Sequence, residues 1–173
     1  MPTLDSVYDR LQALPDKRSS TIFAQIFQSI WKSDPTTKLI NSTAATLAIT
    51  FAKHAGKIIT LNKADGQAIS LPAAIGSGEE LSFFIGTTIT SVGTTFTKSG
   101  TDTLVGGALF MSDNAADAVT HFKAGTTDSV ITLNGTTQGG YKGASIVLTD
   151  VALGLWLVKI VAKATGVEAT PFS

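Results

Sequence analysis

Apolar residues recur along this chain with two different periods, and the change from one to the other divides it. Through residue 33 the spacing is helical. Leu4, Val7, Tyr8, Leu11 and Leu14 share one side of a short helix that Thr3 can cap and Pro15 stops. Ile22, Phe23, Ile26, Phe27, Ile30 and Trp31 form a wider apolar stripe behind Ser19 or Ser20, ended by Asp34-Pro35. Residues 34–37 read as a linker. From Leu39 onward the alternation has a period of two, as in strands with one buried face. The pattern therefore predicts a helical arm and linker over residues 1–37 and a β-domain over 38–173.

The most regular stretch runs from 56 to 86. Ile59 and Leu61 alternate with Thr60 and Asn62, Ile69 and Leu71 resume the alternation, and Leu81, Phe83 and Ile85 form a third inward row. Asp65-Gly66 and Gly76-Ser77-Gly78 supply the turns, so the expected local structure is a meander whose first hairpin turns at Asp65-Gly66. Further strands are expected at Leu47–Phe51, within the Thr-rich segment 87–103 around Ile89 and Val92, and at Leu104–Met111. Others follow around Val119 and His121, at Val130–Leu133, at Ile146–Thr149 and at Trp156–Val161. Four glycines in Asn134–Gly143 point to a long exposed loop. Nine or ten short strands at this spacing predict an all-β fold: an antiparallel β-sandwich or barrel, jelly-roll-like, with an N-terminal helical arm.

Composition narrows the function. Charged residues are only 15% of the chain and the formal net charge is zero, against roughly 25% charged in ordinary soluble proteins. No basic stripe exists to follow a phosphate backbone, so neither nucleic acid nor a membrane surface is an expected partner. Little self-repulsion keeps copies apart, which favours assembly. Cysteine is absent, removing disulfides, thiolate metal sites and cysteine nucleophiles together. With no apolar run long enough to span a bilayer and no secretory n-region, the expectation is synthesis and assembly in the cytoplasm.

A search for chemistry returns little. His54 reads as a solvated turn residue and His121 as a residue on the less buried strand face. Glu79-Glu80 reads as a solvated strand entry, and Asp113 with Asp117 lacks the spaced acidic ladder of a calcium loop. Asn41-Ser42-Thr43 and Asn134-Gly135-Thr136 match the glycosylation sequon by chance or, for Asn134-Gly135, by forming a turn. No catalytic residue, cofactor or metal is expected, and the chain reads as a structural or binding module rather than an enzyme.

The segments Gly56–Asn62, Gly66–Ala74, Gly76-Ser77-Gly78 and Phe83–Gly86, taken in order, resemble strands of a tailed-bacteriophage virion domain. So do Asp102–Gly107, Ile131–Gly140, Leu155–Val158 and the closing Ala169–Ser173, so that the resemblance spans roughly residues 43–173. The family comprises capsid decoration (cement) proteins and related head-surface proteins. It implies a homotrimer on the capsid exterior of a virion, with copies of itself and the major capsid protein as partners. Within that reading the stripe Ile22, Phe23, Ile26, Phe27, Ile30 and Trp31 is the candidate partner interface, docking across subunits or onto the capsid; the alternative is that it closes the core of its own subunit. A second functional reading is a head-fibre or tail-fibre tip domain that binds host carbohydrate through its Thr- and Gly-rich loops and Tyr141.

Overall fold

The structure is a computed structural model that describes residues 38–112 and 119–173. The arm predicted over residues 1–37, with its six stripe residues, lies outside the described residues, as do Asp113 and Asp117. The unit from Lys38 to Ser173 has, among its described residues, eleven strands and one helical turn. In chain order these are β1 (Leu39–Ser42), β2 (Thr46–Ala48), α1 (Phe51–His54), β3 (Ile58–Leu61), β4 (Ala68–Ser70), β5 (Glu80–Ile85) and β6 (Thr94–Thr97). They continue with β7 (Thr103–Met111), β8 (Thr120–Lys123), β9 (Val130–Leu133), β10 (Ser145–Ala152) and β11 (Leu155–Lys163).

The all-β class expected from alternation is what these residues form. Two sheets, ordered β1-β3-β5-β10-β11-β7-β8 and β2-β4-β6-β9, enclose one apolar core. Across it Phe83 of the larger sheet meets Phe96 of the smaller edge-to-face, with ring centroids 4.9 Å apart. A continuous inward row crosses the larger sheet through Ile40, Ile59, Phe83, Ile146, Ile160, Ala108 and Phe122.

The connectivity differs from the expectation. Strands β1 to β6 alternate strictly between the two sheets, so β3 lies parallel to both β1 and β5, and β4 lies parallel to both β2 and β6. Asp65-Gly66 is a turn, closed by Gly66 N–H donating to the Lys63 carbonyl at 3.1 Å, but it carries the chain to the other sheet instead of reversing it beside β3. The predicted meander is therefore a winding, and the wholly antiparallel jelly-roll gives way to mixed sheets with parallel β1-β3, β3-β5, β2-β4, β4-β6 and β7-β11 pairs. Alternation cannot separate the two arrangements, because Ile59, Leu61, Ile69 and Leu71 point into the same core in either.

Three local expectations also change. The strand expected through Phe51 ends at Ala48; Ile49 N–H donates to the Ser70 carbonyl at 2.9 Å, and α1 then swings the Phe51 ring onto Trp156, 5.8 Å between centroids. In the Thr-rich segment Ile89 is buried as expected and Phe96 joins it in the core, whereas Val92 is 90% exposed. The glycine-rich loop 134–143 is not a free tip. Gly135, Gly139 and Gly140 are buried, and Gly139 lies against Ala162 and Phe110. This loop covers part of the inner face of the larger sheet beyond the reach of the four-stranded one.

Candidate interaction surface

The sequence-predicted chemical candidates do not converge on a site. Among the described residues no group of three or more His, Cys, Asp or Glu gathers as a metal would require. Glu79 and Glu80 are exposed at the start of β5, as expected, with Glu80 accepting a hydrogen bond from the Ser82 hydroxyl at 3.0 Å. His121 is exposed on the outer face of β8. Asn134 ties its own loop: Oδ1 accepts from Thr136 N–H at 2.9 Å and Gln138 N–H at 3.0 Å, while Nδ2 donates to Thr137 Oγ1 at 3.1 Å. Tyr141, the aromatic expected for sugar stacking, is half-buried. Lys163 Nζ stands 5.4 Å from its ring centroid and its hydroxyl pairs with Thr165 Oγ1 at 3.1 Å.

His54 corrects the sequence reading. It is buried, not solvated, with Nδ1 3.0 Å from the Thr50 amide nitrogen and 3.1 Å from the Thr50 carbonyl oxygen, which would accept from a proton-bearing Nδ1, and with Nε2 enclosed without a partner among the described residues. Burial holds its pKa below the ordinary histidine value; the Thr50 backbone contact opposes this, and Lys53 and Lys57 add to the lowering.

A residue that sequence reasoning passed over organises one end of the molecule. Asp150 is fully buried and accepts from Ile75 N–H at 3.1 Å, Gly76 N–H at 2.8 Å, Ser77 N–H at 2.9 Å and Ser77 Oγ at 2.7 Å. Burial alone would raise its pKa, yet these four donors together hold it below the usual carboxylate value. Asp102 does related work next door, accepting from Ala74 N–H at 2.8 Å. The signal was present in the phase: Asp150 continues the inward series Ile146, Leu148 on β10.

What remains accessible is the outer face of the seven-stranded sheet. Its outward positions include Leu39, Ile58, Phe84, Val161, Leu109 and Met111, each between 37% and 55% exposed, with Val105, Val147 and Leu157 half-buried among them. One outward row reads Asn41, Thr60, Phe84, Ser145, Val161, Leu109, His121, and the next reads Leu39, Ile58, Ser82, Val147, Lys159, Gly107, Lys123. Where the second row passes Gly107 there is no side chain. A depression of about 590 Å3 opens there over β11, β7 and β8, bordered by Leu109, His121, Lys123, Leu157, Lys159 and Val161. Gly107 is fixed by the neighbouring strand, since a Cβ would run into the Phe122 carbonyl oxygen. The smaller sheet offers less. The free edge of β9 is sealed by the C-terminal segment, with Thr132 N–H donating to the Pro171 carbonyl at 2.8 Å and Ser173 N–H to the Val130 carbonyl at 3.1 Å. Comparison of the chain with protein-family models, with curated proteins and with solved structures gives no match.

Proposed function

We propose that this chain is a structural protein of a tailed-phage virion: a homotrimeric capsid decoration (cement) protein that binds the capsid exterior and braces neighbouring copies of the major capsid protein. The observation that carries the reading is the broad outer face of the larger sheet, apolar at six exposed positions and without a partner among the described residues. Large exposed apolar side chains gathered on one face, with polar residues interspersed, are a common mark of an interaction surface.

The action of such a protein is mechanical. Surface buried between copies and against the shell resists expansion of the shell, at about 25 cal/mol per Å2 of apolar area, less the entropy of ordering both sides. The stripe Ile22, Phe23, Ile26, Phe27, Ile30 and Trp31 provides a second contact, reaching a neighbouring subunit or the capsid.

Mixing the purified protein with empty capsids tests the reading. Co-sedimentation that saturates at a fixed stoichiometry supports it; no capsid affinity overturns it, and glycan-array binding in its place would favour the fibre-tip alternative. Removing residues 1–33 is expected to weaken capsid binding, and unchanged binding would remove the arm from the proposal.

A further inference from the structure

The passage from β2 to β3, which carries the chain from the smaller sheet to the larger, turns on one ring. Residues 50–57 make that passage, and His54 is the only buried residue among them. Its main-chain N–H donates to the Thr50 carbonyl at 3.0 Å, and its Nδ1 lies within 3.1 Å of both the Thr50 nitrogen and the Thr50 carbonyl oxygen. Ala55 N–H donates to the Phe51 carbonyl at 2.9 Å, Gly56 N–H to the Glu80 carbonyl at 3.1 Å and Lys57 N–H to the His54 carbonyl at 3.3 Å. Phe51, on the same helical turn, stacks on Trp156, whose Nε1 is enclosed without a partner among the described residues. The charges acting on the ring have one sign: Lys53 precedes it on α1 and Lys57 stands at the entry to β3. Glu80, whose main-chain carbonyl holds Gly56, keeps its carboxylate in solvent on Ser82 Oγ. Asp150, opposite Trp156 in the register of β10 and β11, is taken up by Ile75, Gly76 and Ser77, and Asp102 by Ala74.

We propose that α1 is an acid-released latch: protonation of His54 frees residues 50–57 from the core and uncovers Trp156 while the two sheets stay folded. In either tautomer the neutral ring keeps Nδ1 on Thr50 and leaves Nε2 unpaired. The imidazolium adds a whole charge to that enclosure, with no acceptor for Nε2–H among the described residues and two lysines repelling it. A buried charge without a partner is far costlier than a buried neutral ring. Moving the ring into water removes that cost, and what the move gives up is small. It breaks one helical turn, the main-chain hydrogen bonds of His54, Ala55, Gly56 and Lys57, and the contact of a half-buried Phe51 with Trp156. Short segments with few buried contacts open at a lower free energy than the whole domain unfolds. The strands on either side keep their ladders, since β2 is held by β4 and β3 by both β1 and β5. The latch belongs to the fold alone and is independent of capsid binding.

Hydrogen exchange of the full-length chain between pH 7.5 and 4.5, corrected for the pH dependence of the exchange chemistry itself, tests the latch. In the open segment His54 titrates at the ordinary histidine value of 6.5, and in the closed one below it. Each pH unit below 6.5 therefore favours the open form about tenfold, until the closed ring also titrates. The amides of His54, Ala55, Gly56 and Lys57 and the indole N–H of Trp156 are expected to lose protection at that rate. Their protection should vanish while the amides of β10 and β11 are still protected. His54→Gln, which takes up no proton, should hold the same protection at 55–57 across the range. Protection at 54–57 that stays level with pH in the wild type overturns the proposal. So does protection there that equals that of β10 and β11 and disappears with it, because the acid response would then be unfolding of the whole domain. A pH response retained by His54→Gln would assign the proton elsewhere and overturn it as well. If His54→Gln does not fold, the wild-type slope and the order in which the two sets of amides lose protection decide the matter.

Discussion

Two buried titratable side chains set the response of this domain to acid. Asp150 holds the Ile75–Ser77 turn through both carboxylate oxygens, and Asp150→Asn would present one oxygen and an NH2 group to the same N–H donors. The expected cost is about 2 kcal/mol or more in urea unfolding. Because the native pKa is lowered, the contribution of Asp150 is fully present above the unfolded value of 3.8 and is lost as pH falls through the native value. The gap in stability between wild type and Asp150→Asn should therefore close in strong acid. The same sign holds for His54. Its native pKa is also lowered, so the unfolded chain takes up a proton first, and stability that is full above pH 6.5 declines as pH falls below it. Wild type should melt at a lower temperature at pH 5.5 than at pH 7.5, and His54→Gln, which cannot take up that proton, should show a smaller difference. Neither residue announced its burial in the same way. Asp150 could be read from its strand phase, whereas His54 follows Phe51 on a single turn of helix too short to leave a periodic trace.

At the scale of elements, the pattern of the sequence located strands better than it located their neighbours. The inward residues of β3, β4, β5, β10 and β11 follow from alternation alone. Which strand lies beside which was not legible, because the same inward residues serve a hairpin or a crossing. Loop 134–143 misled for a related reason. Glycine marks both free tips and close approaches, and here a Cβ at Gly135 would run into the Ile89 carbonyl oxygen while its φ is +79°. Gly135→Ala should accordingly cost several times the roughly 1 kcal/mol of an ordinary glycine replacement, seen as a large drop in the urea midpoint. The C-terminal segment behaves as a further edge strand. Phe172 is buried and bridges to Ile131; Phe172→Ala should cost about 3 kcal/mol and, by loosening the seal on β9, raise light scattering on heating.

For the whole molecule, the division of labour between its two surfaces follows from topology. The smaller sheet ends at β9 under the C-terminal segment, while the larger sheet turns an apolar surface outward over β5, β11 and β7. Parallel neighbours along the winding are distant in sequence: nineteen residues separate Leu39 from Ile58, and twenty-four separate Ile58 from Ser82. Such pairings close larger loops than a meander would, so refolding is expected to be slower than for a hairpin-built domain of equal size, as stopped-flow fluorescence of Trp156 would show. The winding also makes length come in quanta. An inserted segment of about twenty residues that repeats the alternation lengthens both layers by one strand together and leaves every interior side chain facing the interior. Shorter insertions have to be absorbed at the rim, so a lineage carrying this architecture has a ready way to grow taller and no comparable way to grow by half a step.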